Sequence, residues 1–176
     1  MTSTLQVQTL QGPTSGADSN TIRVADNHKL YAKGHVVQVQ TYHVADLSGN
    51  IQTDSTSYQE SGAAVTITPQ FSDSLIVCDF FTPMSHIPDS STGNLQARLL
   101  LNNVMYGGQW TAGYMRGADN DLNNFQPTVF KTIHTNLTAG TPVEFNVQFR
   151  TGTSGQKVIL VHGASSMTMT VTEIAQ

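Results

Sequence analysis

Val143-Glu-Phe-Asn-Val-Gln-Phe-Arg150 alternates apolar and polar residues without a break. Successive Cβ atoms of an extended chain point to opposite faces, so Val143, Phe145, Val147 and Phe149 line one face of a strand. Lys157-Val-Ile-Leu-Val161 follows as a short apolar run, and Met167-Thr-Met-Thr-Val171 alternates again. Thr151-Gly-Thr-Ser-Gly155 joins the first two with residues suited to turns. These stretches define an antiparallel β protein that ends within its own sheet. Its polar faces carry Thr, Ser, Asn and Gln rather than charge.

Composition agrees. Charged residues make up 11% of the 176, against about 25% in an ordinary soluble protein. Apolar residues stand at 38%, so the chain is no charged, disordered tail. A domain of this length buries roughly 70% of its unfolded surface and needs no staple. Low charge suits a surface that partly meets other subunits, whose interface cores are poor in charge. The net charge is -4 with eight scattered Lys and Arg, so no basic footprint for nucleic acid is present. Cys78 has no partner for an internal disulfide and reads as a small buried hydrophobe. The first residues lack the pattern of a signal peptide, and no apolar run reaches the ~20 residues that span a bilayer. The expectation is a chain kept in the cytoplasm or packaged into a particle.

Residues 1–33 read as an extended docking segment with short strands, interrupted by the breaker pair Gly12-Pro13 and closed by Gly34. They hold too few large apolar residues for a core. Residues 34–176 form the main domain. Val37 and Val39 are expected on one face of a strand over 35–44, with Val36, Tyr42 and Val44 on the other. Ser55–Glu60 and Ala63–Pro69 read as a hairpin about Ser61-Gly62, with Val65 and Ile67 inward. Leu75–Phe81 is apolar on both faces, as in a central strand covered on both sides. Leu95–Leu101 is a further strand, and 125–134 fits either strand or helix. About eight strands at this spacing make a jelly-roll-like antiparallel β-sandwich.

Several stretches resemble small structural proteins of tailed bacteriophages, especially marine and cyanobacterial ones. They are Thr4-Leu-Gln-Val-Gln-Thr-Leu-Gln-Gly-Pro-Thr-Ser-Gly16, Gly34-His-Val-Val-Gln-Val39, Thr56-Ser-Tyr58 with Val65-Thr-Ile-Thr-Pro69 and Ser74-Leu-Ile-Val77, and a closing hairpin of Val147-Gln-Phe-Arg150 with Ser165-Ser-Met-Thr-Met-Thr-Val-Thr-Glu-Ile174. The resemblance implies a virion component made in the host cytoplasm and not secreted. It would be a tail fibre or fibre tip, commonly trimeric, attached through its first residues to other virion proteins. A head decoration protein is the alternative, and a free carbohydrate-binding module comes after both.

No motif for chemistry stands out. The six histidines never fall at metal-ligand spacing. Asp119-Asn-Asp-Leu-Asn-Asn124 begins like a calcium loop, but Asn124 stands where Gly is needed and Phe130 where Glu is needed. No nucleophile elbow or phosphate loop occurs. The reading is no enzyme, no cofactor and no metal. What remains is contact. Tyr106, Trp110, Tyr114 and Arg116 lie among glycines and amides, the mix of binding hot spots and of sugar recognition on a host surface. The same aromatics could equally cap one end of the sandwich. Leu75, Val77 and Phe81, on the second face of the central strand, are expected to pack on Leu5 and Val7 of the extension or on a neighbouring subunit.

Overall fold

Eleven strands and no helix form among the described residues of the computed structural model, which are 32–45, 48–85, 87, 94–105, 110–111, 126–163 and 165–176. The strands are β1 (Val36–Val44), β2 (Ile51–Thr53), β3 (Gln59–Ile67), β4 (Leu75–Ser85), β5 (Leu95–Leu101), β6 (Val104–Met105), β7 (Trp110–Thr111), β8 (Gln126–His134), β9 (Val143–Thr151), β10 (Val158–Val161) and β11 (Met167–Ile174). One sheet has the order β1-β11-β4-β8 and a second the order β3-β9-β5-β6, with β7 also on β5. Every pairing is antiparallel. Let β6 and β7 count as one interrupted strand and set aside β2 and β10, which pair with each other. The remaining strands then run first, eighth, third, sixth in one sheet and second, seventh, fourth, fifth in the other. That interleaving is the jelly roll.

The core lies between the sheets and follows strand parity. Ile76, Cys78 and Phe80 of β4 and Met167, Met169 and Val171 of β11 are buried from one side. Val143, Phe145, Val147 and Phe149 of β9 are buried from the other, as their alternation requires. Phe80 and Phe130 stack with ring centroids 5.7 Å apart. Burial, helped by the neighbouring Asp79, pushes the Cys78 thiol up to about 12, so it packs as a neutral group. All four residues of β10 are buried, which accounts for a run without alternation.

Three expectations change. Ser61-Gly62 is not a hairpin turn but a bulge within β3, where the register on β9 shifts between Glu60 and Ala64. Gly62 takes φ +83°, a left-handed conformation that costs glycine little, and the Ser61 hydroxyl accepts from the Ala63 amide at 3.1 Å. A second bulge between Val36 and Gln38 puts Val36 on the face of Val39 rather than opposite it. The stretch from Val147 to Ile174 is not a hairpin: β9 stays in one sheet, β10 pairs with β2, and β11 enters the other sheet. Of the ambiguous segment at 125–134, residues 126–134 are strand β8. The segment 1–33 lies outside the described residues save its last two.

Two buried polar groups fix the frame. The Glu173 carboxyl, fully buried on β11, accepts from the amides of Gln70 (2.8 Å) and Phe71 (3.1 Å), the Ser74 hydroxyl (2.7 Å) and the Gln38 side chain (2.6 Å). It ties the β3–β4 corner and β1 to one strand. His134 is buried on β8, edge-on to Phe145 at 4.9 Å, with Nε2 2.9 Å from the Thr132 hydroxyl. Desolvation by burial lowers its pKa below the ordinary value.

Glu173→Ala strands several buried donors and is expected to cost about 3 kcal/mol or more in a denaturant titration, with Glu173→Gln costing less. His134 makes stability depend on pH. Its folded pKa is depressed, so the unfolded chain takes up the proton first on acidification. The contribution is full above the unfolded value of about 6.5 and is lost as pH falls from there toward the folded pKa. The melting temperature of wild type is expected to drop across this window more steeply than that of His134→Gln.

Candidate functional site

The two outer faces of the sandwich differ sharply. On the outside of the β1-β11-β4-β8 sheet, the register sets four cross-strand rows. Val36, Ile174 and Leu75 align in the first row, and Val39, Thr172, Val77 and Ile133 in the second. Thr41, Thr170, Asp79 and Lys131 form the third, and His43, Thr168, Phe81 and Val129 the fourth. The third row carries the exposed Lys131–Asp79 ion pair at 3.1 Å. The rows on either side of it are apolar at β4 and β8. Val39 is 51% exposed, Phe81 44%, Val129 60% and Ile133 54%, values far above those of the core face of the same strands. Single exposed apolar residues are ordinary, but four on one outer face, two on each side of the ion pair, make a candidate contact face.

Leu75, Val77 and Phe81 are thus brought together on one face, as their sequence positions imply. Among the described residues Leu75 and Val77 are half-buried and Phe81 is exposed. Leu5 and Val7 lie outside the described residues. Val129 and Ile133 escaped the sequence reading, although they alternate with Lys131 once 126–134 is read as a strand. Val39 joins them through its pairing with Thr172.

The outer face of the second sheet is polar. Two arginines converge there on Tyr58, just before β3. The guanidinium carbons of Arg98 (β5) and Arg150 (β9) lie 3.8 and 4.6 Å from its ring centroid, within cation–π range. Arg98 donates from Nε (2.9 Å) and Nη2 (2.5 Å) to the Gln148 side-chain oxygen. Arg150 donates from Nε to Gln96 Oε1 at 2.8 Å and from Nη1 to the Thr56 carbonyl at 3.1 Å. Gln148 in turn donates to Glu60. The Tyr58 hydroxyl is buried and finds no hydrogen-bond partner among the described residues.

At the edge beyond β5, Asn102 and Asn103 take φ 49° and 62°. Paired positive φ values make a type I′ hairpin turn that joins β5 to β6. Of the proposed contact residues, Trp110 lies in β7, whose backbone pairs it with Ala97. Tyr106, Tyr114 and Arg116 lie outside the described residues. Among the described residues no cluster of three or more His, Cys, Asp or Glu could hold a metal ion.

No protein-family model matches this chain, and no curated protein matches it. Among solved structures it is similar to the VP2 subviral particle of infectious bursal disease virus (TM-score 0.45, 14% identity, 93% of this chain and 41% of that one). It is also similar to dimeric latent PorU from Porphyromonas gingivalis (TM-score 0.43, 8% identity, 89% of this chain and 15% of that one). A third likeness is to the baseplate tripod (BppUct-A-L) of bacteriophage Tuc2009 (TM-score 0.34, 18% identity, 98% of this chain and 84% of that one). The chain spans less than half the length of the first two. All three scores are low.

If Tyr58 organises the two arginines, Tyr58→Leu should keep the fold, since the ring is only half-buried. It should lower stability by about 1–2 kcal/mol, through lost cation–π contact and packing. A thermal melt checks this, and an unchanged midpoint would show that the stacking contributes nothing.

Proposed function

We propose that this chain is a structural protein of a virus particle, a tail fibre or fibre-tip component that assembles as a homotrimer. The observation that carries this is the apolar outer face of the β1-β11-β4-β8 sheet on a jelly-roll scaffold. Four strands at ~4.8 Å spacing and about eight residues of ~3.3 Å each make a face of roughly 500 Å². A stable interface takes about 800 Å² from each partner, so this face supplies most of one. The scarcity of charge and the resemblance of residues 4–16, 34–39, 56–58, 65–69 and 74–77 to phage structural proteins support the same reading. Residues 1–33 would attach the protein to the rest of the particle. Residues 102–126, with Trp110, would face a host receptor or another virion protein. No step of this role needs a catalytic group, a cofactor or a metal.

The location of the chain in purified particles decides between this role and head decoration. Antibody-labelled electron microscopy placing it on the tail supports the fibre reading. Label over the shell replaces it with decoration, and absence of the chain from particles overturns both.

Association itself has a direct test. The isolated chain is expected to sediment as a trimer. Val129→Lys with Ile133→Lys should give monomers, while stability changes by less than about 1 kcal/mol because both side chains are exposed. A wild-type monomer at micromolar concentration would remove the trimer. A double variant that still assembles would remove this face as the interface.

A further inference from the structure

We infer that Arg98 and Arg150, held against Tyr58 on the outer face of the second sheet, form a binding site for the carboxylate of an acidic saccharide. The first ground is uncompensated charge. The acceptors of both guanidinium groups are neutral, namely two side-chain amides and one backbone carbonyl. Among the described residues neither arginine has a carboxylate in ion-pair contact. Glu60 reaches Arg98 only through Gln148. Two like charges beside one ring repel, and a buried hydroxyl without a partner adds a further cost. The ring holds both guanidinium groups in place, and a bound anion would relieve the repulsion that remains between them.

The second ground is geometry. Arg98 Nη1 and Arg150 Nη2 have no hydrogen-bond partner among the described residues, while the other nitrogens are held by Gln148, Gln96 and Thr56. The forks are therefore positioned by neutral groups and keep donors to spare. Guanidinium donors fit the two oxygens of a carboxylate better than an ammonium does. In a chain with eight Lys and Arg and net charge -4, two such groups on one ring are a local reversal of sign.

The third ground is the rim, which selects the carrier of the carboxylate. The exposed residues flanking Tyr58 are Thr56, Ser57 and Gln59, uncharged and polar, and then Glu60, whose carboxylate accepts from Gln148. Hydroxyls and amides can both give and accept hydrogen bonds, as sugar hydroxyls require. The exposed large apolar residues described on this sheet, Val104 and Met105, lie on β6 and pair with Leu101 and Leu100, away from Tyr58. A protein partner would want large exposed apolar groups, which the described residues around Tyr58 lack.

The inference is independent of the virion reading. Its test is titration of the full chain with glucuronate and with glucose, which differ in the carboxylate, followed by calorimetry or ligand-observed NMR. Glucuronate is expected to bind in the millimolar range, weakening as salt rises, while glucose does not bind. Arg150→Gln and Arg98→Gln should each weaken glucuronate about tenfold or more, and Lys131→Gln on the opposite sheet should not. Melting curves establish that each variant is folded. If Arg98→Gln fails to fold, Arg150→Gln and Arg98→Lys carry the test, the latter keeping charge but losing the fork. Equal binding of the two sugars, binding of neither, or binding untouched in the folded arginine variants would overturn the site. Acetate or a hexaglutamate peptide binding as tightly as glucuronate would overturn the saccharide assignment.

Discussion

The carboxyl of Glu173 holds β11 in register, and the rest of the molecule depends on that register. Four donors from β1 and from the β3–β4 corner meet at this one buried group. A shift of β11 by one residue would turn Glu173 to solvent and drive Thr168, Thr170 and Thr172 into the core. An apolar residue at position 173 could fill space, but it could not distinguish the correct register from its neighbours. With β11 fixed, β1 and β4 are fixed on either side of it, and β8 follows through its pairing with β4. The composition of both faces of that sheet is then decided.

The faces divide the surface into two kinds of chemistry. One sheet turns Val39, Phe81, Val129 and Ile133 outward around an ion pair and a column of threonines. The other turns out glutamines, arginines and a tyrosine. The low charge of the chain is therefore not spread evenly. The first sheet suits burial against a flat partner, and the second suits a small polar ligand. A single composition figure of 11% charged residues hides that contrast.

Much of the fold is legible in the sequence because alternation is a strong signal where one face is buried. The parity of β9 and β11 could be read directly, and the all-β class with it. Bulges defeat such reading, since one extra residue reverses parity downstream. Gly62 looks like a turn residue in sequence, and only its φ and the shift on β9 show a strand that continues through it. Strands as short as β2 or β7 carry no periodicity. The apolar outer face was half legible: Leu75, Val77 and Phe81 were visible as surplus apolar residues, but their neighbours come from β1 and β8. The pairing of Tyr58 with Arg98 and Arg150 was not legible, because these residues lie far apart along the chain. Only the β5–β9 register and the approach to β3 bring them together.

The position of β11 also bears on how the chain reaches its native state. Val36 pairs with Ile174, and β4 pairs with β11 across most of its length. Neither of these ladders can form locally, so closure of the first sheet must wait for a long loop to be brought together. Until then β1 and β4 expose unpaired edges and both of their faces at once. A slow search with open strands favours pairing between chains as well as within them. Speed of folding and purity of the folded product are therefore coupled: dilution should favour correct intramolecular closure, and crowding of nascent copies should favour exchange of β11 between them.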